Sequence, residues 1–530
     1  MFFNQRDLLQ INDAYLKALG HAECLGISIK LLKDLKEIHE RLNQNPNNSS
    51  KPPSSTDPWV VAKFEDSEEE KDEELPPNEE ASLKGAIVEE EVQSEAQGSE
   101  KKGGKELKGK NSDLKEKRKP GKQFGSPGYG RTQKLPITEE KVHKASQCAA
   151  CGLELGEGAE FLPLTGHYII DVKAGNEKEP GISVTNTKHI YGDTVCSCGH
   201  LTRTMPNRCG KDDKWNVELT EWHLVGPVLM SLICFLWLRM RLSRPRIQEF
   251  LKEWLGLHLC VGTINQCIHE AGRAAEPLED QLIEEVKKSE LLNVDETSWK
   301  EHCKRYWLWV ATSATVVYFF ISTRSSKVIE DILQGYSGWL MTDGYLAYRI
   351  FKNRLRCWAH LVRKARGLKE SLDYDGRIFG EKALDVLNTL IKAIYKAREG
   401  LGEDLVEKFK YFLEEFRELC KKYKDVDHEK TRALAREFLN DWEAIFLVLA
   451  HPELPLTNNE AERALRHWVI ARRMNYGTRT PQGSRVFTIL ASVVETCRKR
   501  NVSTWEYLAK VISERRQGKQ APPIPAVSLA

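Results

Sequence analysis

"ELLNVDETSW" (residues 290–299) is an apolar run that ends in acids, and its reading decides the fold. The residues after it, "YWLWVATSATVVYFFIS" (306–322), are aromatic and β-branched with a break near Ser313, which predicts two strands joined as a hairpin. "GWLMTDGY" (338–345) is another short strand ending in an acid, and "RLRCWAHLVRKAR" (354–366) is a strand running into a helix. Strands of this kind mixed with helices predict an α/β domain. Asp295 and Asp343 then stand at strand ends, where α/β sheets place their sites. Two such acids and a third from a helix are enough to hold two divalent cations for phosphoryl transfer, since carboxylate oxygens suit Mg²⁺. Taken singly, strand-end acids more often only cap the next element. No serine or cysteine triad is evident.

The third acid has two candidates in "LPLTNNEAERALRHWV" (454–469), a turn followed by an amphipathic helix. Glu460 and Glu462 are two residues apart and point in different directions, so they are not expected to share one site. Glu296 is expected on the opposite side of its strand from Asp295. After Glu462 come Arg463, Arg466, Arg472, Arg473, Arg479 and Arg485, with Trp468 and Tyr476 among them. Arginine offers paired donors to phosphate, and aromatic rings stack on unpaired bases; the plainer alternative is a solvated basic face. Asn458 and Asn459 are expected to cap the helix, and Arg466 is placed to pair with Glu462.

Upstream, residues 216–290 read as helices. Leu224–Leu238 is 15 residues without charge, short of the roughly 20 a membrane span needs, and is expected as a buried helix. Residues 243–274 outline a helix–turn–helix, with a break at Gly256-Leu257 and a second helix from about Thr263; two packed core helices fit equally well. Cys148 and Cys151, with Cys196 and Cys198 downstream, read as a structural Zn²⁺ site, with His200 or Cys209 as alternatives to Cys198. The chain has thirteen cysteines, and a disulfide framework is not expected. "GKQFGSPGYGRTQ" (121–133) is glycine-rich, and Lys122 and Arg131 suit phosphate contact. Residues 59–122, an acidic block and then a basic one, cannot bury a core and are expected to be disordered. Residues 65–100 carry 15 acids and 2 bases, so their net of −13 within a whole-chain +2 leaves +15 for the remainder, a balance that suits a polyanionic partner. Residues 380–450 return to helices, with apolar stripes Leu384–Ile394, Leu405–Phe416 and Leu434–Ile445.

"NQNPNNSSKPPSS", "GKQFGSPGYGR", "CAACG", "LLNVDETSW", "MTDGYLAY", "CWAHLVRKA" and "TNNEAERALR" stand in the order found in the insertion sequence 66 (TnpC-type) family of DDE transposases, which the chain resembles over about 43–58 and 121 to roughly 510. The segment between them is longer than the family's usual linker, and the second cysteine pair departs from its usual spacing. The resemblance implies an α/β, RNase H-like catalytic core with a helical insertion, preceded by a zinc-binding module and helical N-terminal regions. It implies that Asp295, Asp343 and Glu462 coordinate Mg²⁺ or Mn²⁺, with Glu460 at a variable position. The three acids are spaced by 48 and 119 residues, the long second gap fitting a helical insertion. The expected organisation is a helical segment (1–43), a linker (44–122), a zinc- and DNA-binding module (123–212), a helical region (213–290), a catalytic core (291–370 and 451–512) split by the insertion (371–450), and a tail (513–530). The implied activity is cleavage at the ends of an insertion sequence and strand transfer into double-stranded target DNA. A homo-oligomer assembled on DNA, small accessory proteins, no membrane association and a prokaryotic cytoplasmic setting go with it. The alternatives are a transposase-derived DNA-binding protein and a nuclease that does not join strands.

Overall fold

The computed structural model describes residues 20–44, 48, 135–175, 178, 180–400 and 404–527. The expected linker at 59–122, with Lys122, and Arg131 beyond it lie outside the described residues. Helix α1 (His21–Leu42) has no buried residue. It is tied to the rest by Glu40, which accepts from Lys430 Nζ at 2.7 Å and from the Ser371 hydroxyl.

A four-stranded sheet follows. β1 (Glu139–His143) runs parallel to β3 (Ile182–Val195), β2 (Phe161–Ala174) pairs antiparallel with β3 over its full length, and β4 (Leu201–Arg203) adds to the end of β3. Asp171 of β2 caps the next element from outside, its carboxylate accepting the Leu229 N–H at 2.6 Å and the Val228 N–H at 3.4 Å. That element is α2 (Pro227–Leu238), which opens with proline at its first position and is apolar all round. Eight of its residues are buried, as the uncharged run predicts.

α3 (Arg244–Leu255) is capped by the Ser243 hydroxyl and ends at Gly256 in the left-handed region. α4 (Val261–Ala275) follows, starting slightly earlier than the sequence suggested. The helix–turn–helix outline is there, but Ile264, Cys267, Ile268 and Ala271–Ala275 of α4 are buried in the main core, so most of the second helix is a core helix. α5 (Leu278–Lys288) leads into the second sheet.

This sheet has five strands. β5 (Leu291–Glu301) is central; β6 (Lys304–Thr312) and β7 (Val317–Ser322) extend it antiparallel on one side, and β8 (Trp339–Thr342) and β9 (Arg354–Arg356) extend it parallel on the other. The β6–β7 turn falls at Ser313, whose N–H bonds Val316 O at 2.9 Å. α6 (Ser326–Ile332) lies between β7 and β8. Asp295 is not at the end of its strand. The parallel pairing with β8 stops at Met341–Asn293, while the antiparallel pairing with β6 runs on to Glu301. The acid therefore sits where β5 loses one neighbour and keeps the other.

After β9 come α7 (Trp358–Lys369), α8 (Tyr374–Arg398), α9 (Lys410–Tyr423) and α10 (Glu429–Asn440). They build a hydrophobic cluster of their own around Phe379, Leu387, Phe416 and Phe438, which also takes in Met341 and Leu355 of the sheet. The stripe from Leu405 breaks at Phe409, where a short helical turn, Leu405–Lys408, ends before α9. The chain returns through α11 (Asn459–Asn475), α12 (Pro481–Lys499) and α13 (Thr504–Arg516). α12 covers the open edge of β7: Ser492 Oγ accepts the Phe319 N–H at 2.8 Å, and Thr496 Oγ1 both accepts from Val317 N–H and donates to Val317 O at 3.1 Å. No helix among the described residues is long and apolar enough to cross a membrane.

Candidate active site and metal centre

β5 and β8 run parallel in a register that pairs Met341 with Asn293. Asp343 follows directly on the end of β8, near enough to Asp295 for its charge to act there. Shielding from water pushes the Asp295 carboxyl well above the usual range, and the charges of Asp343, Glu296 and Glu462 push it further. Three neighbouring acids thus act on Asp295. Alternation along β5 separates Asp295 from Glu296. Asn293, on the same face as Asp295, meets α11, whereas Glu296 accepts from Tyr348 Oη at 2.7 Å and from Arg324 at 2.7 and 2.9 Å. Burial raises the Glu296 carboxyl to about 7.

Gly344, in the turn after Asp343, lies close against the Arg356 guanidinium. A side chain there would lie 2.8 Å from the Arg356 guanidinium and 3.0 Å from Glu437. Arg356 belongs to a buried ionic network. Asp441 takes Arg354 at 2.8 Å, Arg356 at 2.9 Å and Arg349 at 2.9 Å, while Glu437 takes Lys364 at 2.7 Å. Burial opposes ionisation of Asp441, but the bond from Arg354 and the charges of Arg354, Arg356 and Arg349 outweigh it and hold the carboxyl below its usual range. The helical insertion is therefore braced against the turn that carries Asp343. Sequence reasoning did not find this network; two arginines flanking one leucine in β9, both on one strand face, were its only signal.

Glu460 and Glu462 part company as helical geometry requires. Glu460 accepts from Lys499 Nζ at 2.9 Å and Arg463 at 3.4 Å. Glu462 faces α7, with Arg363 Nη2 at 3.7 Å and His360 Nε2 at 3.9 Å. These two, rather than Arg466, are the partners the structure gives it. Cys357, His360 and Glu462 bring one donor atom each within 4.8 Å of one another. The Cys357 sulfur, however, is fully buried, accepts the Asn458 N–H at 3.3 Å, and has its thiol held protonated by burial.

Asn458 does not cap α11 with its side chain. Its Nδ2 donates to Val294 O at 2.9 Å, and its Oδ1 accepts from Asn293 Nδ2 at 3.0 Å. Asn458 is 0% exposed and joins Asn293 and Val294 of β5 to the start of α11 and, through Cys357, to the start of α7. It fixes the helix that carries Glu462 relative to the strand that carries Asp295.

The basic run divides. Arg463, Arg466, Arg473 and Arg479 are exposed. Arg472 bonds Thr297 Oγ1 at 2.9 Å and Ser298 Oγ at 3.0 Å, and Arg485 bonds Glu279 at 2.6 Å. Trp468 is 1% exposed, packed edge-on to Phe319 and Phe487, and cannot stack on a base; Tyr476 is 75% exposed.

In the first sheet's module, all four cysteines expected to bind zinc converge. Cys148 Sγ lies 3.7 Å from Cys198 Sγ and Cys151 Sγ 3.6 Å from Cys196 Sγ, with all four within 4.8 Å. A tetrahedral site with Zn–S bonds of about 2.3 Å has edges of about 3.8 Å, so the sulfur spacing fits zinc. Backbone N–H groups of Cys151 and Ala150 draw the Cys148 thiol down to about 6. Cys209 is elsewhere, 3.6 Å from Arg273, and the His200 carbonyl receives the Cys196 N–H at 3.0 Å. Among the described residues no cysteine is in a disulfide.

Residues 223–486 match the family described as Transposase IS66 family, a span that holds all three acids but not the cysteine cluster. Among curated relatives, two proteins of Sinorhizobium fredii, both named as uncharacterized, are similar. Protein y4qI is 25% identical over 311 residues, covering 51% of this chain and 56% of its own length. Protein y4hP is 24% identical over 331 residues, covering 54% and 59%. The chain thus spans somewhat over half the length of these relatives. By the family match, the chain belongs to the transposase IS66 family.

Proposed function

We propose that this protein is a DDE transposase that cleaves the ends of an insertion sequence and transfers the freed strands to target DNA. The observation that carries the reading is the grouping of Asp295, Asp343 and Glu462 by a parallel strand pair and one stapled helix. The sheet, with three consecutive antiparallel strands followed by two parallel ones, supports an RNase H-like core, and a helical insertion before the last acid suits the long second gap. Asp295, Asp343 and Glu462 offer carboxylate oxygens, and the like charges crowding Asp295 are of the kind a cation relieves. When bound, Mg²⁺ or Mn²⁺ supplies the charge that activates the attacking hydroxyl and stabilises the leaving oxygen. Water attacks the phosphodiester at the element end and frees a 3′-hydroxyl, which then attacks a target phosphodiester; bonds are exchanged without an energy cofactor. Arg363 and His360 stand beside Glu462, and the exposed Arg463, Arg466 and Arg473 line the same helix for phosphate contact. The four-cysteine cluster suits a structural Zn²⁺ in a module that binds DNA ends. Homo-oligomeric assembly on paired ends and work in the prokaryotic cytoplasm belong to the same reading.

The test is strand cleavage and joining on a DNA substrate carrying the element's inverted repeats. Asp295→Ala and Asp343→Ala should abolish metal-dependent cleavage while leaving DNA binding intact. Cleavage retained in either variant refutes the assignment. Cleavage without joined products favours a simple nuclease, and binding without cleavage in the unaltered protein favours a DNA-binding derivative.

A further inference from the structure

Tyr476 ends α11 in a conformation that its side chain resists. Its φ of 59° and ψ of 19° lie in the left-handed region, at the position helices commonly give to glycine. Nothing local relieves the mismatch. Among the described residues the ring makes no hydrogen bond, ring stack or cation contact, and it is 75% exposed.

The backbone around it is nevertheless locked. The Tyr476 N–H bonds Arg472 O at 2.9 Å, and the Gly477 N–H bonds Asn475 Oδ1 at 3.0 Å. Gly477 passes so close to β5 that a side chain there would sit 2.1 Å from Lys300 O. Thr478 then joins the β5–β6 hairpin as a short third partner, its N–H bonding Lys300 O at 2.9 Å and its carbonyl receiving the His302 N–H at 3.0 Å. Trp299 Nε1 donates to Thr478 Oγ1 at 3.1 Å. The result is a rigid turn that projects one large aromatic ring into solvent. Strain of this kind, held by its surroundings and unused by the fold, is associated with function.

The position says what the ring meets. Tyr476 is on the helix of Glu462, fourteen residues on, which is about 21 Å along the axis. That equals about six base pairs of duplex at about 3.4 Å each. Exposed Arg466 and Arg479 lie on the intervening and following chain. DNA lying along α11 with its scissile phosphate at the acids would reach the ring. We propose that Tyr476 is a base-stacking post, taking the face of an unpaired nucleobase in DNA bound along α11. Of the two aromatics in this basic run only Tyr476 is available for it, since Trp468 is buried. The proposal rests on the DNA-transposase reading.

The full-length protein is titrated, without divalent metal so that no cleavage occurs, with two duplexes. One is blunt; the other carries a short single-stranded overhang with 2-aminopurine, whose fluorescence falls on stacking. The unaltered protein should prefer the overhang and quench the probe. Tyr476→Ala and Tyr476→Gly should lose about tenfold or more of that preference and the quenching; Tyr476→Trp should keep both. Tyr476→Gly should also melt no lower than the parent, because glycine suits the left-handed position. Unchanged preference and quenching in the Ala and Gly variants overturn the proposal, as does a lower melting temperature for the Gly variant, which would give the ring a structural job. An unaltered protein that binds duplex but gains nothing from the overhang overturns this inference alone. If it binds neither DNA, the transposase reading falls with it.

Discussion

Asn458→Ala should cost far more than a surface asparagine, and most of the cost lies in what it leaves behind. The side chain makes two hydrogen bonds in a region closed to water, to Val294 O and from Asn293 Nδ2. Asn293 is 4% exposed and Asn458 0%. Truncation leaves a buried carbonyl and a buried amide N–H without partners, at about 1–3 kcal/mol each, so a loss of about 3 kcal/mol is expected. Removing Asn293 as well deletes one of the two orphaned groups. The double variant should then be more stable than the sum of the singles by about 1 kcal/mol. Urea unfolding followed by far-ultraviolet circular dichroism measures all three variants. Glu462 is carried by the same helix, so the Mg²⁺ concentration for half-maximal cleavage should rise in Asn458→Ala at temperatures where it remains folded. A loss below about 0.5 kcal/mol with strictly additive variants would refute the idea that this residue fixes α11 to β5.

Asp441→Ala takes from the buried Arg354 its carboxylate partner and leaves Arg356 with Glu437 alone, and should destabilise by about 3–5 kcal/mol, read by the same unfolding assay. The Asp441 carboxyl is held below its usual range, so its contribution is complete above the unfolded carboxylate pKa of about 3.9 and is lost as pH falls through the lower folded value. The variant should therefore lose less stability than the parent on acidification below about pH 4. Purified protein should carry about one zinc per chain by elemental analysis, and Cys151→Ser with Cys196→Ser should remove it; a folded, zinc-free parent contradicts the cluster's assignment. Gly344→Ala should displace Arg356 and slow cleavage while leaving duplex affinity unchanged, as measured by single-turnover kinetics beside a binding titration.

What the sequence disclosed followed from local pattern. The aromatic and β-branched residues of 306–322 placed both strands and their turn, and the uncharged run 224–238 placed a buried helix. The placing of Asp295 at a strand end went wrong because β5 has different neighbours on its two edges, which no single-strand pattern records. The staple at Asn458 was invisible because its partners lie 164 and 165 residues away. A capping role was the local reading available for an asparagine there, and the tertiary bonds displaced it. Trp468 could have been told from Tyr476: Ala461, Leu465, Trp468 and Ala471 recur at helical spacing and are all buried. Glu462 needed more than pattern, since its helix offers Glu460 as an equal acid until the neighbours of each are known.

The most direct test is therefore to compare Glu460→Gln and Glu462→Gln in metal-dependent cleavage of a DNA substrate carrying the element ends. Glu460 is occupied by Lys499 and Arg463, on another side of the helix from His360 and Arg363. Glu460→Gln should cleave within a few-fold of the parent, and Glu462→Gln should lose more than about a hundredfold while still binding DNA. Equal effects, or a severe loss in Glu460→Gln with Glu462→Gln active, would contradict the assignment of Glu462 as the third acid.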